Sequence, residues 1–260
     1  MRVREGDKIL LLVESEGRRR QYYVRVERGH VYSTIAGNVK SESILGRLVG
    51  EALELPLGRA YILEPTITEV MEHFYERRTQ VIYPKDSGFM ALIAGLRPGM
   101  RVLEAGVGSG FLTTVIALHV CPHGRVYGFD VKREYLEVAR TNLEMSGFSS
   151  CVELALGDVR RGVGIEGLDA AMLDLPDPWE ALEALAPSIK LGAPVVVFLP
   201  TYNQVEKVSR WARSRRSYVV QGVYETMLRE VEDSPGAVRP SPRMVGFTGF
   251  IVLLRRIRDI

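Results

Sequence analysis

Residues 101–114 read Arg-Val-Leu-Glu-Ala-Gly-Val-Gly-Ser-Gly-Phe-Leu-Thr-Thr, and residues 124–130 read Gly-Arg-Val-Tyr-Gly-Phe-Asp. Val102 and Leu103 give the short apolar run of a buried parallel strand, while Gly106, Gly108 and Gly110 let the chain turn tightly and present bare backbone to a ligand. A helix over about 111–120 follows, with its first N–H groups facing the same ligand. The glycines fall as G-x-G-x-G rather than as the dinucleotide fingerprint G-x-G-x-x-G, with Glu104 two positions ahead of the first. A carboxylate there repels a pyrophosphate and suits a cation. The spacing therefore favours S-adenosylmethionine, which carries a sulfonium and an amino group, over NAD or an ordinary tight turn. Asp130 ends the next apolar segment, where a carboxylate accepts from both hydroxyls of a ribose.

Beyond Arg101 the pattern alternates between strand and helix. Strands are expected near 101–105, 125–130, 151–156, 169–174, 194–199 and 217–223, and helices near 111–120, 133–146, 178–187 and 204–214. Gly147 stands where a helix C-cap glycine belongs. The run 246–254 is read as a last strand antiparallel to 217–223, after a proline-rich loop over 235–242. Two more acids stand at strand ends, where open α/β sheets place their ligands. Asp158 is placed to accept the exocyclic amine of an adenine. Asp174, between a buried strand and the rigid turn Leu175-Pro176-Asp177-Pro178, is placed over the cleft, with Trp179 as a rigid wall.

Ahead of this fold, residues 1 to about 60 read as a β-rich module forming a compact partial barrel, with strands at 8–13, 21–26, 30–35 and 59–63. Arg18, Arg19 and Arg20 fall on its first turn, as phosphate contacts or as simple solvated charge. Residues 65–78 have helical spacing, with His73 off the apolar stripe and open to a substrate role. Tyr83-Pro84-Lys85-Asp86-Ser87 leads into a helix over about 87–95 capped by Asp86 or Ser87, with Tyr83 forming the near wall of the cofactor pocket.

The net charge of +2 is unevenly spread: residues 81–200 carry 10 basic and 14 acidic side chains, and residues 201–260 carry 11 and 6. A basic C-terminal stretch, with Arg210, Arg213, Arg215 and Arg216 close together, suits a polyanion around an acidic catalytic middle. The two cysteines, Cys121 and Cys151, make neither a metal set nor a disulfide framework, and the four histidines have no ligand spacing. No long apolar run and no signal-peptide pattern are present, so a soluble cytoplasmic protein with no membrane or metal partner is expected.

Taken together, 78–86 (Arg-Thr-Gln-Val-Ile-Tyr-Pro-Lys-Asp), 104–110, 173–179 (Leu-Asp-Leu-Pro-Asp-Pro-Trp), 200–205 (Pro-Thr-Tyr-Asn-Gln-Val) and 243–246 (Arg-Met-Val-Gly) resemble the archaeal form of the tRNA (adenine-N1)-methyltransferase family. The resemblance covers the whole chain. It implies a Rossmann-like methyltransferase fold, α/β with a seven-stranded sheet and a small N-terminal β-rich domain. The expected domains are 1–63, a helical linker and pocket wall over 64–86, and the catalytic domain over 87–260. It further implies a homotetramer, and methyl transfer from S-adenosylmethionine to N1 of adenine 58, and in some members 57, in the T-loop of tRNA. Carried over by motif, Glu104 and the loop Gly106, Gly108, Ser109 and Gly110 hold the methionine part, Asp130 the ribose and Asp158 the adenine, and Asp174 is catalytic. Some relatives carry histidine where this chain has Phe247. Adenine N1 is already a nucleophile, so no covalent intermediate is needed; Asp174 accepts from N6 as the ring becomes cationic. N6 or another amine as acceptor, a small-molecule acceptor, or an RNA-binding module with a degenerate cofactor fold remain alternatives on the residues alone.

Overall fold

The structure, a computed structural model, describes residues 1–233 and 236–258. The chain divides into two compact units, Met1–Tyr75 with Glu230–Ser241 and Glu76–Arg229 with Pro242–Ile260.

In the first unit β1 (Lys8–Ser15) is the central ribbon, burying Ile9, Leu11 and Val13 at every second position. It pairs antiparallel with β2 (Arg18–Arg25). Then come β3 (Val31–Thr34), β4 (Gly37–Lys40), the single helical turn α1 (Ser41–Ile44), β5 (Ala52–Leu55) and β6 (Gly58–Leu63). One sheet runs β2-β1-β6-β5, and β3 pairs with β4 in a separate hairpin, in place of the expected partial barrel. The turn between β1 and β2 consists only of Glu16 and Gly17, both at positive φ (49° and 73°), which matches the twist of the flanking strands. So short a turn moves Arg18, Arg19 and Arg20 off the tip and into β2, opposite Ser15, Glu14 and Val13. α2 (Ile67–His73) opens on a capping box between Thr66 and Glu69 and closes well short of residue 78. Tyr23 of β2 stacks on His73 with ring centroids 3.6 Å apart and donates to Glu69 at 2.9 Å, so α2 belongs with this module, which runs to Tyr75 rather than 63.

The second unit opens with α3 (Pro84–Ile93), whose first turn starts at proline with Tyr83 as N-cap; Asp86 and Ser87 lie inside the helix instead of capping it. β7 (Arg101–Ala105), α4 (Phe111–Val120), β8 (Arg125–Asp130), α5 (Arg133–Ser146), β9 (Val152–Leu156), β10 (Ala170–Leu173), α6 (Pro178–Leu185), β11 (Pro194–Leu199), α7 (Tyr202–Ser214) and β12 (Tyr218–Tyr224) come next in chain order. The two-residue strands β13 (Val231–Glu232) and β14 (Arg239–Pro240) fall in the first unit, and β15 (Phe250–Arg256) completes the second. Of the proline-rich loop expected over 235–242, Pro235 lies outside the described residues. The seven-stranded sheet runs β12-β15-β11-β10-β7-β8-β9, parallel except for β15, which is antiparallel to both neighbours. β10 and β11 are buried at every residue, as strands with both faces covered must be.

Cys121, just past α4, and Cys151, just before β9, form a disulfide across a Cα separation of 6.1 Å. The sequence, which offers no disulfide framework, leaves open whether these two pair. Parallel strands bring the end of α4 and the start of β9 to the same edge of the sheet, a neighbourhood that a spacing of 30 residues does not reveal.

Candidate active site

The glycine loop ends β7 with Gly106, Gly108 and Gly110 at φ of +89°, +53° and +82°. Only glycine holds such angles without strain, and here the tightness of the surroundings requires it as well. A Cβ on Gly106 would lie 2.2 Å from the Asp174 carbonyl oxygen, and one on Gly108 would lie 2.7 Å from Thr79 Oγ1. Asp174 N–H donates to the Ala105 carbonyl at 2.9 Å, so the loop after β10 is laid backbone to backbone along the loop after β7. That seam fixes Asp174 on the wall of a cavity of about 180 Å³, which Gly106, Gly108, Ser109 and Asp130 also line.

The segment Thr79, Gln80, Val81 and Ile82 lines the same cavity. Side chains hold it in place. Asn142, fully buried on α5, donates to the carbonyls of Glu76 and Ser109, both at 2.9 Å, and accepts from Glu76 N–H at 3.1 Å. Ser109 Oγ accepts from Arg78 N–H at 2.9 Å, and the Arg77 guanidinium lies 5.0 Å from the Phe111 ring centre. Ser109 thus anchors this wall as well as bordering the cavity. Thr79 and Gln80 fall within the pocket wall expected over 64–86 without having been singled out, and Asn142 was missed. A polar residue at a buried position of the α5 stripe was the signal for Asn142.

Asp130 and Asp174 line the cavity, and Glu104 lies buried near both without lining it. Asp130 takes the Gly108 N–H at 2.9 Å on one oxygen and the Lys132 N–H at 3.0 Å on the other, which fixes its plane. Each oxygen keeps a lone pair for a hydroxyl. Glu104 is 0% exposed, and neither of its oxygens has a hydrogen-bond partner. Burial, then the charges of Asp174 and Asp130, push it up to about 8, against some relief from Thr113 close by. Burial thus favours its protonated form. Asp174 is pushed up to about 6 by burial and then by Asp130. An orphaned buried carboxyl is costly in itself and fits the amino group of S-adenosylmethionine, while Asp130 fits its ribose.

Other expected site residues stand elsewhere. Asp158 borders a smaller neighbouring pocket of about 50 Å³ with Asp130 and Leu175, and its carboxylate is taken up by Arg160 at 2.7 Å. Arg160 lowers its pKa. Tyr83 is 36% exposed at the start of α3 and does not line the cavity, although its neighbour Ile82 does. Trp179 packs against the core of the sheet with Lys207 Nζ 5.3 Å over its ring, and is not a cavity wall. Gly110 caps α4 in the left-handed region, packed on Ala139.

The arginines are placed in ways the sequence did not foresee. α7 starts at the carboxyl edge of the sheet and runs back for 13 residues, about 20 Å, so Arg213, Arg215 and Arg216 lie at the edge opposite Asp174. Arg210 pairs with Glu206 at 2.7 Å and Arg215 with Glu183 at 3.5 Å. In the first unit Arg19 pairs with Glu14 and Asp233, at 3.2 and 3.1 Å, while Arg18 and Arg20 are exposed. His73 is occupied by its stack on Tyr23. No described helix is long and apolar enough to cross a membrane, and no group of three or more metal-binding side chains occurs among the described residues.

The profile of the tRNA methyltransferase complex GCD14 subunit family matches residues 58–252. A tRNA (adenine(57)-N(1)/adenine(58)-N(1))-methyltransferase of Methanocaldococcus jannaschii is 32% identical, over 94% of each chain. The crystal structure of tRNA (m1A58) methyltransferase from Aquifex aeolicus superimposes with a TM-score of 0.89 at 28% identity, covering 99% of this chain and 100% of that one. An S-adenosylmethionine-dependent O-methyltransferase from Thermotoga maritima also gives 0.89, at 27% identity over 99% and 96%. With a seven-stranded methyltransferase sheet, a glycine loop joined to Asp174 and a family match along most of its length, the chain belongs to the tRNA adenine-N1 methyltransferase family.

Proposed function

We propose that the protein transfers a methyl group from S-adenosylmethionine to N1 of adenine 58, and also of adenine 57, in the T-loop of tRNA. The observation that carries this reading is the seam that sets Asp174 in one cavity with the glycine loop and Asp130. When bound, the cofactor supplies an electrophilic methyl group. Glu104 would hold its amino group, Asp130 its ribose, and Asp158, on the small neighbouring pocket, its adenine. Asp174 does the work on the acceptor side. Its carboxylate accepts a hydrogen bond from N6 of the target adenine, orients N1 and stabilises the positive charge that methylation places on the ring. It then takes the acidified N6 proton. The target base is turned out of the folded tRNA to reach it.

The related O-methyltransferase fold points to a different acceptor, a hydroxyl. Incubating the protein with unmodified tRNA and S-adenosylmethionine, followed by nucleoside analysis, separates the two readings. 1-Methyladenosine at 58 and 57 is the expected product. A 2′-O-methyl nucleoside, or no labelled nucleoside, would overturn the proposal, and product at 58 alone would remove 57 from it. A homotetramer working in the cytoplasm completes the proposal, its size measurable by light scattering in solution.

A further inference from the structure

Three aromatic side chains at the carboxyl edge of the sheet have no part in the chemistry above. Tyr202 opens α7 and is 74% exposed, and Phe247 just ahead of β15 is 47% exposed. Both rings lean on the buried Phe250, at centroid distances of 4.4 and 5.0 Å. Phe250 pairs with Leu199 at the end of β11, and β11 pairs with β10, from which Asp174 follows directly. Gln204 Nε2 donates to the Pro176 carbonyl at 3.0 Å, tying the start of α7 to the Asp174 loop. Two strand spacings put the aromatic group roughly 10 Å from Asp174. That is too far for the base whose N6 sits on Asp174, and within reach of the next nucleotide along the strand.

We propose that Tyr202 and Phe247 form a stacking platform for the nucleobase adjoining the target adenine. Turning the target out of the tRNA fold leaves its neighbour without a stacking partner, and an exposed aromatic face accepts any base through its π surface. Phe250 beneath keeps the platform from collapsing into the core. The exposed Lys207, which stands over Trp179 on the same helix as Tyr202, supplies a cation for the accompanying phosphate. Exposed rings also suit a protein partner, but their place beside the Asp174 loop, with Lys207 on the same helix, favours the substrate strand.

The inference rests on RNA being the substrate, so its test carries two readouts. Steady-state transfer to unmodified tRNA should give a KM about tenfold or more higher in the double variant Tyr202→Ala, Phe247→Ala, with turnover at saturating tRNA retained and S-adenosylmethionine affinity unmoved. Tyr202→Phe keeps the ring and should restore the wild-type KM. In the second readout, a T-loop oligoribonucleotide with 2-aminopurine beside the target adenine should lose fluorescence on binding the wild-type protein and keep it with the double variant. An unchanged KM and undiminished quenching in the double variant would overturn the platform, as would a Tyr202→Phe protein as impaired as the alanine one. Absence of any tRNA methylation by the wild type would instead strike the functional reading, while the quenching readout would still decide whether these rings stack a base.

Discussion

The two edges of the catalytic sheet are built for different ends. The carboxyl edge carries Asp130, Asp174, the glycine loop and the exposed aromatics, with carboxyl groups shifted by burial and backbone angles only glycine tolerates. The amino edge carries the Cys121–Cys151 disulfide, the Arg101 backbone N–H on Asp169 at 2.8 Å, and the Arg215–Glu183 pair. One edge holds groups in costly states that a ligand can relieve, and the other is already satisfied. Substitutions at the first should move catalysis without lowering stability, and those at the second should lower stability and leave catalysis alone.

The largest effect should come from Asp174→Ala. Single-turnover transfer should fall by about 100-fold or more with S-adenosylmethionine affinity nearly intact and no loss in Tm, and Asp174→Asn should fall between the two because it accepts from N6 without charge. Parallel loss of cofactor binding would place Asp174 on the methionine side. Removing the disulfide with Cys121→Ser and Cys151→Ser together should cost about 2–4 kcal/mol in chemical denaturation and leave turnover at moderate temperature unchanged. A change in turnover without one in stability would erase the contrast between the edges.

Acidity offers a finer test. Asp174 must be ionised to work, and its pKa is raised to about 6, so turnover should drop tenfold per unit below about pH 6. Glu104 is raised to about 8 and must lose its proton when the cofactor's amino group arrives, so cofactor affinity should climb with pH and level off near 8. In the free protein the sign for stability is opposite. The fold keeps a proton that the unfolded chain loses above its ordinary carboxylate pKa, so stability falls as pH rises from about 4.5 to about 8. Glu104→Gln should remove the trend in affinity and the part of the stability trend above about pH 6, where Asp174 no longer contributes, raising Tm at pH 9 by about 2–4 °C for each kcal/mol relieved while weakening cofactor binding. A wild-type affinity flat between pH 6 and 8 would mean that Glu104 does not meet a cation. The smallest effect should be that of Arg213→Ala, less than about twofold in tRNA affinity, since within one chain it faces away from the cleft. A large loss with a reduced salt slope would give the amino edge a substrate role.

Much of the fold was legible in the sequence. The runs at 101–105 and 194–199 are strands next to glycine or proline whose two faces are buried, and 125–130 alternates between buried and half-buried positions, so each pattern is legible locally. Asp130 and Asp174 were readable because a strand end fixes where the next side chain stands. The features that escaped depend on contacts distant in sequence. Asn142 clips Glu76 to Ser109 from a helix further along the chain, and residues 230–241 join the first unit far from it in sequence. The arginine triplet was misplaced by the length of a single turn, and Arg213, Arg215 and Arg216 by the direction of one helix.

One buried knot has a bearing on how this chain can vary. Lys85 and Asp86, hidden in the first turn of α3, pair at 2.9 Å, and both reach Thr226 and Thr248. Thr226 stands where the chain leaves the second unit and Thr248 where it has come back, so the two ends of the excursion are clasped by the same pair of charges. The entropy of closing that loop is met by the clasp rather than by whatever lies between, and it grows only slowly with length. Descendants of this sequence can therefore lengthen, shorten or exchange residues 230–241 while the methyltransferase fold stays shut, and a protease cut within them should leave both new termini fastened. The excursion is a replaceable part, and Asp86 is the residue that makes it so.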